Sequence, residues 1–231
     1  MLKNLAAALF GGTCFLCRGG ARELLCAACD ADLPRLAPAL CPRCALASPG
    51  GAVCGRCLAQ APRYDGTVAA LAYAFPADVL VHALKFRGEL ALAPLLARLL
   101  LERLQAPDGA PGRVDCVVPV PLSGSRLRSR GYNHAAEIAR PLAEALRAPL
   151  ELALCERRRD TAPQLELPWS ERSRNVRGAF AASKALSGAS VAVVDDVMTT
   201  GATLEEIAAT LKQAGAGRVE NWVVARTLPP D

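Results

Sequence analysis

The sequence predicts an α/β protein, a mostly parallel sheet flanked by helices, preceded by a small cysteine-rich domain that binds metal. Three observations carry this reading. From residue 67 onward, apolar strand-like runs alternate with helical patterns. Eight cysteines fall in four C-x-x-C pairs before residue 58. One nine-residue string, Asp195-Asp196-Val197-Met198-Thr199-Thr200-Gly201-Ala202-Thr203, lies between an apolar run and a helical pattern.

With 231 residues the chain can bury a full core and hold one large or two unequal domains. A hydrophobic content of 52% beside 21% charged residues is that of a globular chain. The net charge of +5 suits anionic ligands such as phosphates or nucleic acid without diagnosing either. No apolar run approaches the ~20 residues of a membrane span. Residues 1–10 imitate a signal peptide, but their apolar part is shorter than the usual core of ~7–15 residues. They read as a short helix packed on the body of a cytoplasmic chain.

Cysteine-rich segments in a cytosolic protein point to metal rather than disulfides. The pairs are Cys14/Cys17, Cys26/Cys29, Cys41/Cys44 and Cys54/Cys57. Two residues between cysteines let a tight turn aim both thiolates at one ion, and two such knuckles complete a tetrahedral zinc site. The spacing fits two successive zinc ribbons holding one or two structural Zn2+ ions, paired sequentially or crossed. Pro42 and Gly55 are the expected knuckle-turn residues. The domain boundary is expected at residues 62/63. Arg18, Arg22, Arg35, Arg43, Arg56 and Arg63 could meet nucleic acid or only solvent.

In the second domain, residues 67–75 read as a strand, 79–84 as a short helix and 90–104 as a buried helix. Residues 114–118 read as a buried strand that runs into a loop over 119–133. A helix over 133–146, a strand over 150–155 and a long polar stretch follow. A strand at 191–194, a helix at 202–214 and a strand at 219–225 complete the alternation. Such a chain builds a parallel sheet with ligands at the carboxyl ends of its strands.

The nine-residue string stands at one of those ends. Unpaired N–H groups at a helix start attract phosphate, and small Thr and Gly residues let it approach. Two carboxylates just upstream can accept hydrogen bonds from vicinal ribose hydroxyls. The string resembles the phosphoribosyl pyrophosphate (PRPP) motif of type I phosphoribosyltransferases. That resemblance implies that Asp195 and Asp196 hold the ribose diol. It also implies that Thr199, Thr200, Gly201, Ala202 and Thr203 form the 5-phosphate loop, with Val197 among the residues that bind PRPP.

The 119–133 loop carries Pro121, Leu122, Arg126 and Arg130 after a strand end, the order in which that fold binds pyrophosphate. Arginine suits the task, because its planar fork donates paired hydrogen bonds to phosphate oxygens. Residues 157–180 form a cationic stretch that matches the mobile hood of the fold. In it Arg157 and Arg159 are expected to meet pyrophosphate, Ser170 to cap a short helix and Trp169 to anchor the loop.

Over nearly its whole length the chain is similar to the ComF family of competence proteins. The match includes the double zinc ribbon, Ala83-Leu84-Lys85-Phe86-Arg87-Gly88, Val118-Pro119-Val120-Pro121-Leu122 and Arg130-Gly131-Tyr132-Asn133. It continues through Arg157, Thr161, Gln164, Leu167, Arg172 and Asn175. His134 departs from the pattern where Gln is expected, and His82 and His134 are expected as surface or capping residues. The resemblance implies the type I phosphoribosyltransferase fold, PRPP with Mg2+, and Lys85, Arg126 and Arg130 at the leaving pyrophosphate. It further implies a role with single-stranded DNA in natural transformation and protein partners in the competence machinery. The acceptor is unnamed, and no residue stands out as its general base. The other function class is a non-catalytic module that senses PRPP or binds single-stranded DNA through its zinc ribbon. The absence of an N-terminal cysteine nucleophile argues against glutamine hydrolysis.

Overall fold

The computed structural model describes residues 12–37, 39–107, 112–159 and 174–229. Residues 1–10, and with them Thr161, Gln164, Leu167, Trp169, Ser170 and Arg172 of the hood, lie outside the described residues.

The N-terminal part repeats one small unit twice. In the first, β1 (Gly12–Thr13) pairs with β2 (Gly20–Ala21), and helix α1 (Ala27–Ala31) starts on Cys26 as its N-cap. In the second, helix α2 (Gly55–Ala59) starts on Cys54, here without a side-chain capping bond. Each first knuckle closes by the same bond, Arg18 N–H to the Cys14 carbonyl at 3.0 Å and Ala45 N–H to the Cys41 carbonyl at 2.9 Å. The left-handed residues of these turns are Arg18 (φ 64°) and Ala45 (φ 54°). Pro42 lies in the turn between Cys41 and Cys44 as expected, whereas Gly55 is the first residue of α2.

The sheet follows. Strand β3 (Gly66–Ala72) leads to helices α3 (Ala77–Arg87) and α4 (Leu92–Gln105). Strand β4 (Cys116–Pro119) is followed by helix α5 (Gly124–Arg130), helix α6 (His134–Leu146) and strand β5 (Cys155–Arg157). Then come β6 (Phe180–Ala182), β7 (Ser190–Met198), α7 (Ala202–Gln213) and β8 (Arg218–Arg226). The four long strands are parallel in the order β3-β8-β7-β4.

Side chains alternate across this sheet, as pleating requires. Ala192 and Val194 of β7 join Trp222 and Val224 of β8 in one apolar cluster with α3, α4 and α6. Val191 and Val193 join Val219 and Val223 in the other, beneath Leu204, Ile207 and Leu211 of α7. The ribbons are part of these layers. Cys14, Leu25 and Leu33 pack into the first cluster, Ala45 and Tyr64 into the second.

Two expectations need correction. The 119–133 loop contains α5, a polar helix with no buried residue, so no apolar periodicity announced it. The strand expected at 150–155 is one parallel bridge, Leu150 to Val117, after which the chain leaves the sheet. Pro119 and Pro121 lack the N–H that would extend a ladder there. Strand β5 begins later and pairs antiparallel with β6.

Candidate functional site

The topology itself makes a crevice. From β7 the chain crosses through α7 to β8, whereas from β4 it leaves through α6 toward the opposite edge, with α6 and α7 on opposite faces. Ligands bind at such switch points, outside the carboxyl ends of the strands. β4 ends at Pro119, opposite Val194. Beyond that rung Asp195, Val197 and Met198 pair only with β8, and the freed side of β7 faces a cavity of 370 Å3. That volume lies in the range of small-molecule sites.

Strand parity separates the two acids. Asp196 continues the 192, 194 side and is 2% exposed against α3 and α6. Its Oδ2 accepts a 2.8 Å bond from Lys85 Nζ, at the last turn of α3. His134 Nε2 lies 3.5 Å from the same oxygen. Arg130 Nη1 donates to His134 Nδ1 at 2.8 Å, and a guanidinium cannot accept, so Nδ1 bears the lone pair and Nε2 the proton. Asn133 seats this ring. Its Oδ1 accepts from Ala135 N–H to cap α6, and its Nδ2 donates to the Val120 carbonyl. Asp195 is half-buried, and its Oδ1 accepts from the Asp196 amide at 2.9 Å.

The electrostatics of the pair are opposed. Burial and the adjacent Asp196 carboxylate push Asp195 well above the usual carboxylate range. Burial acts on Asp196 in the same direction, but Lys85 and His134 outweigh it and hold Asp196 well below that range. By linkage, the share of stability tied to Asp195 is fully present below the unfolded value near ~3.9 and is lost as pH rises through its raised folded value. The Asp196 share is present above ~3.9 and is lost as pH falls through its lowered value. Asp195→Asn is therefore expected to raise Tm at pH 8 by about 2–4 °C, the equivalent of about 1 kcal/mol for a chain of this size, and to give no gain at pH 4. Thermal denaturation at both pH values checks this, and an equal shift at both would refute the repulsion.

Residues 199–203 curl from β7 into α7. Gly201 is the N-cap of α7 with φ +85°, and Thr200 Oγ1 accepts from Ala202 N–H at 3.2 Å. Val197, Met198, Thr199, Thr200, Gly201, Ala202 and Thr203 all line the cavity. So do Lys85, Pro121, Leu122, Arg126, Arg130 and Arg157.

Arg159 is the exception among the expected site residues. Its guanidinium donates to the carbonyls of Asn175 and Arg177 and holds the base of the hood instead. His134 corrects the other way, being 3% exposed and in the wall of the cavity. Tyr73, His82 and Phe86 complete the mouth, and sequence reasoning assigned none of them a role there. The signal for His134 was its place directly after Asn133, at the one position that broke the expected pattern.

The eight ribbon cysteines form two groups, Cys14/Cys17/Cys26/Cys29 and Cys41/Cys44/Cys54/Cys57, with ligand atoms within 4.8 Å of one another in each. Pairing is sequential, not crossed. The Sγ distances of 3.7 Å for Cys17–Cys26 and for Cys44–Cys54 far exceed a disulfide bond. They match the ~3.8 Å edge of a tetrahedron with Zn–S near 2.3 Å. Backbone N–H groups of the knuckles, Cys17 first, lower Cys14 to about 6. Burial opposes this at Cys41, yet the amides of Cys54 and Cys44 bring it down to about 7. Both groups are structural zinc sites. Metal analysis is expected to give two zinc ions per chain, and Cys17→Ser only one. Retention of two by that variant would contradict the Cys14/Cys17/Cys26/Cys29 site.

Comparison with known proteins agrees with this geometry. Residues 5–58 match the double zinc ribbon domain and residues 94–228 the phosphoribosyl transferase domain. DNA utilization protein YhgH of Salmonella typhimurium is 37% identical over 223 residues, covering 94% of this chain and 98% of that protein. Competence protein F of Haemophilus influenzae is 30% identical with the same coverage of both chains. Competence protein ComFC of Streptococcus pneumoniae is 28% identical over 87% of each. Among the described residues no helix is long and apolar enough to cross a membrane. With its acidic pair and Thr/Gly loop at the switch point of a parallel sheet, and two zinc ribbons packed on that sheet, this chain belongs to the phosphoribosyl transferase family, in the ComF group.

Proposed function

We propose that the cavity binds PRPP with Mg2+ and that the protein is a phosphoribosyltransferase acting in the handling of single-stranded DNA. The observation that carries this is the convergence on one crevice of the acidic pair, the helix-start loop and the cations of α3, α5 and β5. Loop residues 199–203 would receive the 5-phosphate at the amino end of α7, where N–H groups and the helix dipole favour an anion.

Asp195 is the better placed of the two acids to accept from the ribose hydroxyls, because Asp196 Oδ2 is taken by Lys85. Asp196 then acts mainly by holding the Lys85 ammonium in the cavity. Lys85, Arg126, Arg130 and Arg157 supply positive charge where pyrophosphate would leave, and fixed cations in a crevice stabilise a departing anion strongly. The two carboxylates also fit Mg2+, which takes one or two carboxylates along with substrate oxygens and water, and which neutralises leaving pyrophosphate when bound.

The DNA role rests on the names of the relatives and on the mouth of the cavity. Phe86 is 53% exposed, with the Arg130 guanidinium 5.2 Å and the Lys85 ammonium 6.0 Å from its ring centre and the His82 ring 4.6 Å away. An aromatic set among cations suits a base and its phosphate on a single strand. The ribbon arginines are less available. Arg35 is bonded to Asp30, Arg43 to the Tyr64 carbonyl and Arg56 to the Thr200 carbonyl.

Calorimetry with PRPP and Mg2+, then pyrophosphate release surveyed across nucleobases and oligonucleotides, tests the proposal. Expected are saturable PRPP binding and turnover with at least one acceptor. Salt-sensitive binding of single strands without turnover would replace the transferase by a binding module, and absence of PRPP binding would end both readings of the cavity.

A further inference from the structure

Arg226, the last residue of β8, is 0% exposed and reaches two places far apart in sequence. Its Nε donates to the carbonyl of Cys44, a ligand of the second zinc centre, at 2.9 Å. Its Nη1 donates to the carbonyl of Met198 at 2.8 Å and also to the carbonyls of Thr199 and Thr227. Met198 and Thr199 are the entry to the loop that curls into α7. One planar guanidinium thus spans from a zinc knuckle to the start of that loop.

Two further contacts run the same way. Arg56, between the ligands Cys54 and Cys57, donates to the Thr200 carbonyl at 3.5 Å. The hydroxyl of Tyr64, a residue 3% exposed, lies 3.4 Å from where a Cβ on Gly201 would stand. Arg56 of the second zinc module, Tyr64 just after it and Arg226 bonded to Cys44 thus approach residues 198–201 from three elements.

Among the described residues the first centre has no such reach. Cys14 packs with Leu25 and Leu33 into the cluster on the other face of the sheet, and Asp30 of α1 is tied to Arg98 of α4 at 3.0 Å. The two centres look alike in sequence and sit in different mechanical positions. A buried guanidinium is a rigid fork that cannot release one set of carbonyls without leaving polar groups unsatisfied. Its Nη2 already has no hydrogen-bond partner among the described residues.

We propose that Arg226 is a positioning residue that ties the second zinc centre to the loop at residues 198–201, so that zinc at Cys41, Cys44, Cys54 and Cys57 sets the phosphate affinity of that loop. The phosphate part of this inference rests on the PRPP reading above; the mechanical part does not. Coupling of this kind is reciprocal in binding free energy, so a ligand in the loop must also tighten the hold on that zinc and not on the other.

Hydrogen exchange without ligand tests the mechanical link. The Cys54→Ser variant, lacking the second centre, is expected to exchange the amides of residues 199–202 at least ~10-fold faster than wild type, and Cys17→Ser, lacking the first, at the wild-type rate. Arg226→Lys keeps the charge but cannot span both sets of carbonyls. It is expected to retain two zinc ions and still show the faster loop exchange, which separates positioning from metal binding if Cys54→Ser misfolds.

Equilibrium competition for zinc with a chromogenic chelator, with and without PRPP and Mg2+, gives the reverse arm. One ion of two should be held about tenfold more tightly with PRPP, and this tightening should vanish in Arg226→Lys. Equal loop exchange in the two cysteine variants, or wild-type loop exchange in Arg226→Lys, overturns the inference. Tightened zinc binding that persists in Arg226→Lys overturns it as well. If wild type fails to bind PRPP while the exchange differences hold, the ligand assignment falls and the link through Arg226 stands.

Discussion

Asp195→Ala/Asp196→Ala is expected to abolish measurable PRPP binding, with affinity falling about 10²- to 10⁴-fold. Asp195 would contribute charge-assisted hydrogen bonds to the ribose and Asp196 would fix the Lys85 ammonium toward the anion, each roughly 1.5–3 kcal/mol, and every ~1.4 kcal/mol is tenfold in affinity. Calorimetry and pyrophosphate release measure this, and a loss below tenfold would show that the acids do not hold the sugar. The structure also separates the effect on binding from the effect on folding. Asp196→Ala alone leaves the Lys85 ammonium without its closest partner. Breaking a buried pair costs about 3–5 kcal/mol, and with a quarter of the Lys85 side chain exposed the cost belongs at or below the lower end. Adding Lys85→Met to Asp196→Ala is therefore expected to restore Tm without restoring PRPP affinity. Recovery of both would mean that the acid acts only on folding.

Gly201→Ala is the second large effect. At φ +85° an L-residue pays about 1–2 kcal/mol for left-handed backbone. A Cβ there would stand 2.7 Å from Cε of Met198, the flexible tip of a buried side chain, which must move to admit it. The strained turn is expected to shift with it, and a displacement near 1 Å at a positioned ligand group can cost ~10²-fold. The expected outcome is a loss of that size in PRPP affinity with two zinc ions retained and only a modest drop in Tm. Unchanged affinity would show that this turn does not hold the phosphate.

Much of the molecule was legible because its signals are local. A C-x-x-C knuckle is a property of four residues, and its repetition announced the ribbons. The run of buried strand, two acids, Thr/Gly turn and helix start is equally local, and the structure keeps its order. Even so, the boundary shifted. Asp195 and Asp196 belong to β7 itself, paired on one side with β8, and do not merely follow it. Their unlike burial then follows from the pleat, a consequence that the sequence contained but that needed the strand to be extended by four residues to be seen.

What stayed hidden depends on distance along the chain. Lys85 and Asp196 are 111 residues apart, and Arg226 and Cys44 are separated by 182. No period or spacing encodes such pairs, because packing of α3 and α6 on one face of the sheet brings the first together. The second is made by the return of β8 beneath a zinc knuckle. Helix α5 escaped notice for a different reason, since it buries nothing and is held by its ends.

By itself the sequence determined the class of fold, the cysteine knuckles of the zinc ribbons and the acidic and Thr/Gly string at 195–203, since each is written in neighbouring residues. Only the tertiary structure decided that Asp196 is locked to Lys85 while Asp195 remains available. It likewise made His134 part of the wall, removed Arg159 from it and put one zinc centre behind the loop at residues 198–201. The physical reason is common to all of these. Charge pairing and burial act through space, and only the folded sheet sets which groups are near.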